Sequence, residues 1–264
     1  MSVEWIPEKT IVPASLRGNL LPLFAELWVP PVARPVLYGS MGVACADNAD
    51  RPSVCSLSIG DFVMFAGDAS DRAARYLVQT SATPCYVLPS SREWLELVRR
   101  IHGREHATPE RYDLSSSDLS RARLERLADS LAPPFRIERF SRRLVDRAAG
   151  QEWSLDLVGN FESPEDFLRN GIGFGVVEVP PSGGRLVAGA SSFAVLNRTV
   201  EFQVDTHPEY RRRGLATAVA ATLAIACIDR NLVPHWDAAS KASLTLAEKL
   251  GFRLTRRYEV AHLL

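Results

Sequence analysis

Three consecutive arginines followed by Gly-Leu-Ala, Arg211 to Ala216, stand between two stretches of different periodicity. Before them Val200, Phe202 and Val204 alternate with Glu201, Gln203 and Asp205, the period of a half-buried strand. From Gly214 the composition turns to strong helix formers, Ala218 to Ala226 enclosing Leu223 and Ile225. A turn that opens a helix presents backbone N–H groups without an intrahelical acceptor. Those donors, the positive end of the helix dipole and a glycine that admits close approach make an anion site, with a diphosphate as the natural guest. The residues alone also fit a plain strand–turn–helix with a solvated basic turn.

Two other anion loops are absent from this stretch, since neither G-x-x-x-x-G-K-[ST] nor G-x-G-x-x-G occurs in it. One metal pattern does occur: His102-Gly103-Arg104-Glu105-His106 matches H-x-x-E-H. Zinc there needs both histidines on one face of a well-formed helix and a third ligand. Gly103 and the approaching Pro109 mark a helix end instead, so no metal is expected.

Around the arginine turn, Asn197-Arg198 leads into a strand over Thr199–Asp205, and Val233–Asp237 is the next strand after the alanine-rich helix. Upstream, Phe135–Phe140, Ile172–Val179 and Leu186–Leu196 are strands, the last two joined through Pro180-Pro181-Ser182-Gly183-Gly184. Ser141–Arg147 is a helix, and Ser163-Pro164-Glu165-Asp166 starts another with a serine cap, a proline at the first position and carboxylates in the first turn. Further back, Val54–Ile59 and Phe62–Ala66 form a hairpin around Gly60-Asp61, and Pro84–Leu88 is a short strand. Ser90 with Glu93 opens a helix whose stripe is Trp94, Leu95, Val98 and Ile101. Leu20–Trp28 reads as a short helix, Arg111–Leu114 as a strand, and Ser116 or Ser117 as the cap of a helix reaching about Ser130.

The stretch Thr199–Phe252 resembles the GCN5-related N-acetyltransferase (GNAT) family. Arg211, Gly214 and Ala216 match that family's [RQ]-x-x-G-x-[GA] motif, Thr206-His207-Pro208-Glu209-Tyr210-Arg211 is similar to its V-x-P-x-[YF]-R lead-in, and Lys249-Leu250-Gly251-Phe252 matches its K-L-G-F ending. The resemblance extends back to about Phe135 and is diffuse before it. It implies an α/β (α+β) chain whose C-terminal part is a mixed, mostly antiparallel sheet with splayed central strands and flanking helices. It also implies acetyl-CoA as cosubstrate and a small-molecule amine, an antibiotic or metabolite, as acceptor. The cofactor would be held by Arg211, Arg212, Arg213, Gly214, Leu215, Ala216 and Thr217, by the main chain of Val204, Asp205 and Thr206, and by Ser240 and Ser243. Glu201 is the leading candidate for the base that neutralises the amine, Asp237 the second and His207 the third; Glu201 equally fits a solvent-facing strand position. Ala247 stands where many members carry the tyrosine that protonates the leaving thiolate, which leaves Ser240, Ser243 or Tyr210 to substitute. A CoA-binding module without turnover, serving sensing or partner regulation, is the competing reading.

The whole chain is consistent with this. Its 264 residues are 46% hydrophobic and 23% charged, the balance of a globular protein. Zero formal net charge gives no global reason to expect nucleic acid or an anionic membrane as partner. Cys45, Cys55, Cys85 and Cys227 form no C-x-x-C pair or disulfide-like framework. The start lacks a basic segment and an apolar core, and no apolar run approaches a membrane span, so the cytoplasm is the expected location. Pro133-Pro134 reads as a domain junction: 1–132 is a smaller mixed α/β domain that walls a substrate pocket or makes an interface, and 133–264 is the GNAT domain. Monomer or homodimer stays open.

Overall fold

The structure, a computed structural model, describes residues 9–103, 109–179 and 184–263. It divides into two compact units, residues 1–110 with 258–264, and residues 111–257. In the first unit β1 (Thr10–Ile11), β2 (Val43–Ala46), β3 (Val54–Ile59), β4 (Phe62–Gly67) and β5 (Cys85–Val87) are accompanied by α1 (Arg34–Leu37), α2 (Arg72–Gln79) and α3 (Arg92–His102). The second contains β6 (Glu110–Ser115), α4 (Arg121–Ala128), β7 (Phe135–Arg139), α5 (Arg142–Ala149), α6 (Pro164–Asn170), β8 (Gly173–Glu178), β9 (Arg185–Leu196), β10 (Thr199–Thr206), α7 (Leu215–Asp229), β11 (Val233–Ala238) and α8 (Lys241–Leu250). β12 (Arg253–Glu259) and β13 (Ala261–Leu263) end the chain.

The first unit is a sheet in the order β1-β2-β3-β4-β5-β13, antiparallel except for β4 with β5. Helices α2 and α3 cover one face; Trp94 stacks on Phe65 at 5.1 Å and donates its indole N–H to Gly67 O at 2.9 Å. The helix predicted over Leu20–Trp28 is a 3-10 helix over Ala14–Phe24, where Pro22 removes a donor that an α-helix needs. Ser91, not Ser90, caps α3; Ser90 Oγ donates to Phe65 O. Of the H-x-x-E-H pattern, Glu105 and His106 lie outside the described residues, as do Pro180 to Gly183 of the predicted turn. Among the described residues no three His, Cys, Asp or Glu side chains are grouped to hold a metal, and no helix is long and apolar enough to cross a membrane.

The second unit is a seven-stranded sheet in the order β12-β6-β11-β10-β9-β8-β7. Its pairs β7–β8, β8–β9, β9–β10 and β6–β11 are antiparallel, and β10 with β11 is parallel. Helix α7 explains its own alanines. It is apolar all round, buries Ala218, Ala220, Ala221 and Ala224 completely, and touches strands on one side and α4 on the other. A helix packed on two sides needs no amphipathic stripe, and small side chains let it approach the sheet closely. Helices α5 and α6, with the 3-10 turn Glu152–Leu157, form a second apolar cluster with Val177 and Leu186. The compact units divide after Glu110, whereas Pro133-Pro134 marks the sequence-predicted junction. Strand β6 precedes that diproline but pairs antiparallel with β11 over Tyr112–Ser115, and α4 packs on α7 through buried Leu124.

Candidate functional site

Strands β10 and β11 run parallel, so the helices that follow them, α7 and α8, begin at the same end of the sheet. Their register runs Thr199↔Val233, Val200↔Pro234, Glu201↔His235 and goes no further. β10 continues to Thr206 against β9, with an irregular step between Glu201 and Phe202, while Trp236 to Ala238 of β11 stay with β6. A bulge bends the strand that carries it. The two central strands therefore part at Glu201, opening a gap at their carboxyl ends, which is where α/β sheets take ligands.

The turn at the mouth of this gap is folded by its own side chains. Tyr210 is its anchor: the phenol donates to Glu178 Oε2 at 2.5 Å, and the Arg185 and Arg213 guanidiniums lie 5.4 and 4.9 Å from its ring centroid. The Glu178 carboxylate raises the Tyr210 pKa above the usual phenol value. His207 caps the short turn Pro208–Tyr210 by accepting from Glu209 N. Arg211 Nε donates to Thr206 O, and Arg213 donates to Glu209 O. Two of the three arginines are thus structural, and Arg212 is the one whose guanidinium has no partner among the described residues. Arg212 and Gly214 both have positive φ, +62° and +80°. Alternating hands of backbone curl successive N–H groups into an anion-binding concavity. No side chain caps α7, and among the described residues the amides of Arg212 to Thr217 meet no acceptor. A Cβ on Gly214 would meet nothing within 4 Å, so the space in front of the turn is open. Leu215 and Thr217 are buried and Ala216 is half-buried, which leaves the backbone as their offering.

The expected catalytic residues lie in a buried charged network. Glu201 is 4% exposed. Its Oε1 accepts from Asp237 N at 2.8 Å, so the side chain replaces the main-chain acceptor that β11 loses where the strands part. Its Oε2 sits 2.6 Å from His235 Nδ1, and His235 Nε2 sits 3.1 Å from Asp113 Oδ1. Burial pulls the His235 pKa down, but Glu201 and Asp113 on either side outweigh it and push it up to about 10. His235 is therefore an imidazolium at neutral pH, donating to Glu201 through Nδ1 and ion-paired with Asp113 through Nε2. Thr255 Oγ1 donates to Asp113. Asp237 accepts from Arg111 Nε at 2.8 Å, with both side chains buried. Two cations and three carboxylates thus tie β6, β10 and β11 together where the sheet opens. Arg111, Asp113, His235 and Thr255 escaped the sequence reading. The available signal was the charge alternation Arg111-x-Asp113 against His235-x-Asp237 on two short strands.

Further along β10, Val204 packs on the α7 side of the sheet, while Asp205 accepts from Gln203 Nε2 at 2.8 Å and stays half-exposed. Burial and, more weakly, the neighbouring Asp156 charge push the Asp205 carboxyl up to about 6 against the Gln203 hydrogen bond and the pull of Arg211. Asp156, on the turn Glu152–Leu157, is itself raised by burial. Thr206 ends the strand. Ser240 caps α8 by accepting from Ser243 N at 3.2 Å, and Ser243 Oγ accepts from the Trp236 indole at 3.0 Å. Ala247 is fully buried in the core beside α7.

Compared with protein-family models, residues 22–261 match the family described as GNAT acetyltransferase. A solved GCN5-related N-acetyltransferase-like protein from Streptococcus suis 89/1591 is 31% identical with a TM-score of 0.83, covering 94% of this chain and 98% of that one. An acetyltransferase of the GNAT family from Colwellia psychrerythraea shares the fold, at 12% identity and TM-score 0.51 over 97% and 100% of the two chains. The uncharacterized N-acetyltransferase YdfB of Bacillus subtilis (strain 168) is 31% identical over 102 residues, a match spanning 38% of each protein.

Proposed function

This chain belongs to the GNAT acetyltransferase family, and from that premise we propose that it is a cytoplasmic, metal-independent N-acetyltransferase that moves the acetyl group of acetyl-CoA to the amine of a small molecule. GNAT enzymes use acetyl-CoA and act on small-molecule or protein amines; the small-molecule acceptor is our reading. The observation that carries it is the run of acceptor-free amides from Arg212 to Thr217 beside the opened edge of β10. That concavity fits a diphosphate by donor chemistry, by charge and by open space. Bound acetyl-CoA supplies an acetyl thioester, the electrophile.

The chain's own residues do the rest. Arg212 to Thr217 hold the diphosphate, with the free Arg212 guanidinium adding charge. The β10 edge past Glu201 offers the main-chain N–H groups of Val204 and Thr206, which alternate with those turned to β9, to a carbonyl oxygen that gains negative charge. An alkylammonium with a pKa of about 10 must lose a proton before it attacks. Asp205, half-exposed and tuned to about 6, is better suited to accept that proton than Glu201, both of whose oxygens are held. We assign Glu201 and Asp237 to positioning the splay. Ser240, whose hydroxyl hydrogen is not used by its cap, is the candidate donor to the leaving thiolate.

One observation favours the alternative of a CoA-binding module without turnover: position 247 is a buried alanine, and the Tyr210 hydroxyl already donates to Glu178. Calorimetric titration with CoA, followed by thiol release from acetyl-CoA across a panel of amines, separates the two. Binding with amine-dependent release supports the enzyme, binding without release supports the module, and no binding removes both.

A further inference from the structure

The opposite end of β10 carries a second polar concavity. A cleft of about 400 Å³ lies where the end of β7, the end of α6, the β9–β10 turn and the end of α7 come together. Its floor is apolar, formed chiefly by Ile172, Val195, Val200 and Leu232. Three arginines stand around it, Arg139 from β7, Arg169 from the last turn of α6 and Arg230 from the cap of α7, and the lining contains no acidic residue. Among the described residues none of these guanidiniums has a carboxylate partner. The nearby acids are already taken, Asp229 by Arg121 and Glu138 by Arg136 and Arg143. Asn197 adds a side-chain amide to the lining, while the Asn170 amide donates to Asp166.

Three like charges around one small concavity repel each other unless an anion lies between them. Guanidinium is the cation whose planar fork matches carboxylate and phosphate oxygens two at a time. The apolar floor sets a second requirement, since a bare inorganic ion would leave it wet. From Val200 at this cleft to Thr206 before the arginine turn is six residues of strand, about 20 Å at 3.3 Å per residue. The cleft is therefore separate from the acetyl-CoA site, and its occupancy does not depend on acetyl transfer being the activity.

We infer that this cleft is a binding site for a small organic anion, a carboxylate or phosphate monoester carried on an aromatic or branched apolar body.

The test uses the full chain with phenyl phosphate and inorganic phosphate as probes, titrated calorimetrically. Phenyl phosphate is expected to bind saturably and at least about tenfold more tightly than inorganic phosphate, weakening as salt is raised. Arg169→Ala/Arg230→Ala is expected to lose that binding by at least about tenfold, because both side chains are exposed and their removal leaves the core intact. Gly214→Asp, which blocks the arginine turn, is expected to leave it unchanged. Methyl resonances of Ile172, Val195 and Leu232 should shift on addition of phenyl phosphate and not of inorganic phosphate. The inference is overturned by absence of saturable binding, by equal affinity for the two probes, by undiminished binding in the double variant, or by binding that Gly214→Asp abolishes.

Discussion

Asp205 combines two properties that pull in opposite directions. Its pKa is raised on folding from the ordinary 3.8 to about 6. An acid raised on folding keeps its full contribution to stability below its unfolded value and loses it as pH climbs through the folded one. At pH 7 Asp205 is therefore a net cost, on the order of 1–2 kcal/mol once its partial exposure is discounted for solvent screening. Asp205→Asn should stabilise the chain at pH 7, with the gain vanishing by about pH 4. The same change should lower kcat by about 10² to 10⁴-fold if Asp205 is the base, and should remove a rise in kcat/KM centred near 6. Thermal melts and pH–rate profiles of the two proteins read both effects. A variant that melts higher yet keeps its rate would return the base to Glu201. His235 has the reverse sign. Its folded value is about 10 against 6.5, so it stabilises fully below about pH 6.5 and progressively loses that contribution as pH approaches 10. His235→Gln leaves Glu201 and Asp113 without their cation, so it should cost about 3–5 kcal/mol near pH 6.5. The gap to the parent in denaturant melts should shrink towards pH 10; a constant gap would mean that packing, not charge, was lost.

At the scale of elements, the strand–turn–helix around Arg211–Ala216 was legible because its signals are local. Apolar alternation ends, a glycine follows, and alanines begin. The positive φ of Gly214 is the reason that position holds glycine, since a Cβ there would meet nothing within 4 Å. Gly214→Ala should cost about 1–2 kcal/mol from backbone conformation alone, as no side chain obstructs the new methyl. Gly214→Asp should cost a similar amount and also abolish CoA binding, since its carboxylate would stand among the amides meant for a diphosphate. Calorimetry with CoA on both variants distinguishes loss of the anion site from loss of the turn: alanine should weaken binding and aspartate remove it. What the sequence did not disclose is non-local. The bulge after Glu201, the occupation of both its oxygens and the pKa of Asp205 depend on Asp237, His235 and Asp156, brought there by tertiary structure. The cap of α4 is Ser120, one of four serines within six residues whose spacing alone fits several helix starts.

For the whole molecule, the question is where the catalytic unit begins, and a diproline marks a turn without saying what lies on either side of it. Strand β6 and helix α4 precede Pro133, yet β6 supplies Arg111 and Asp113 to the charged network and closes the free side of β11. Leu124 of α4 is fully buried in the cluster that contains α7. A fragment 133–264 would leave Asp237 buried without Arg111 and His235 with one carboxylate instead of two. Each broken buried pair costs about 3–5 kcal/mol. It would also expose the β11 edge and the α7 surface beneath Leu124. Those losses together match or exceed the roughly 5–15 kcal/mol by which a domain is stable. The fragment is therefore expected to show no cooperative thermal transition and no CoA binding, while the full chain shows both. A fragment 133–264 that melts cooperatively within about 5 °C of the full chain would require β11 to be stable as an edge strand and the network at the splay to be dispensable.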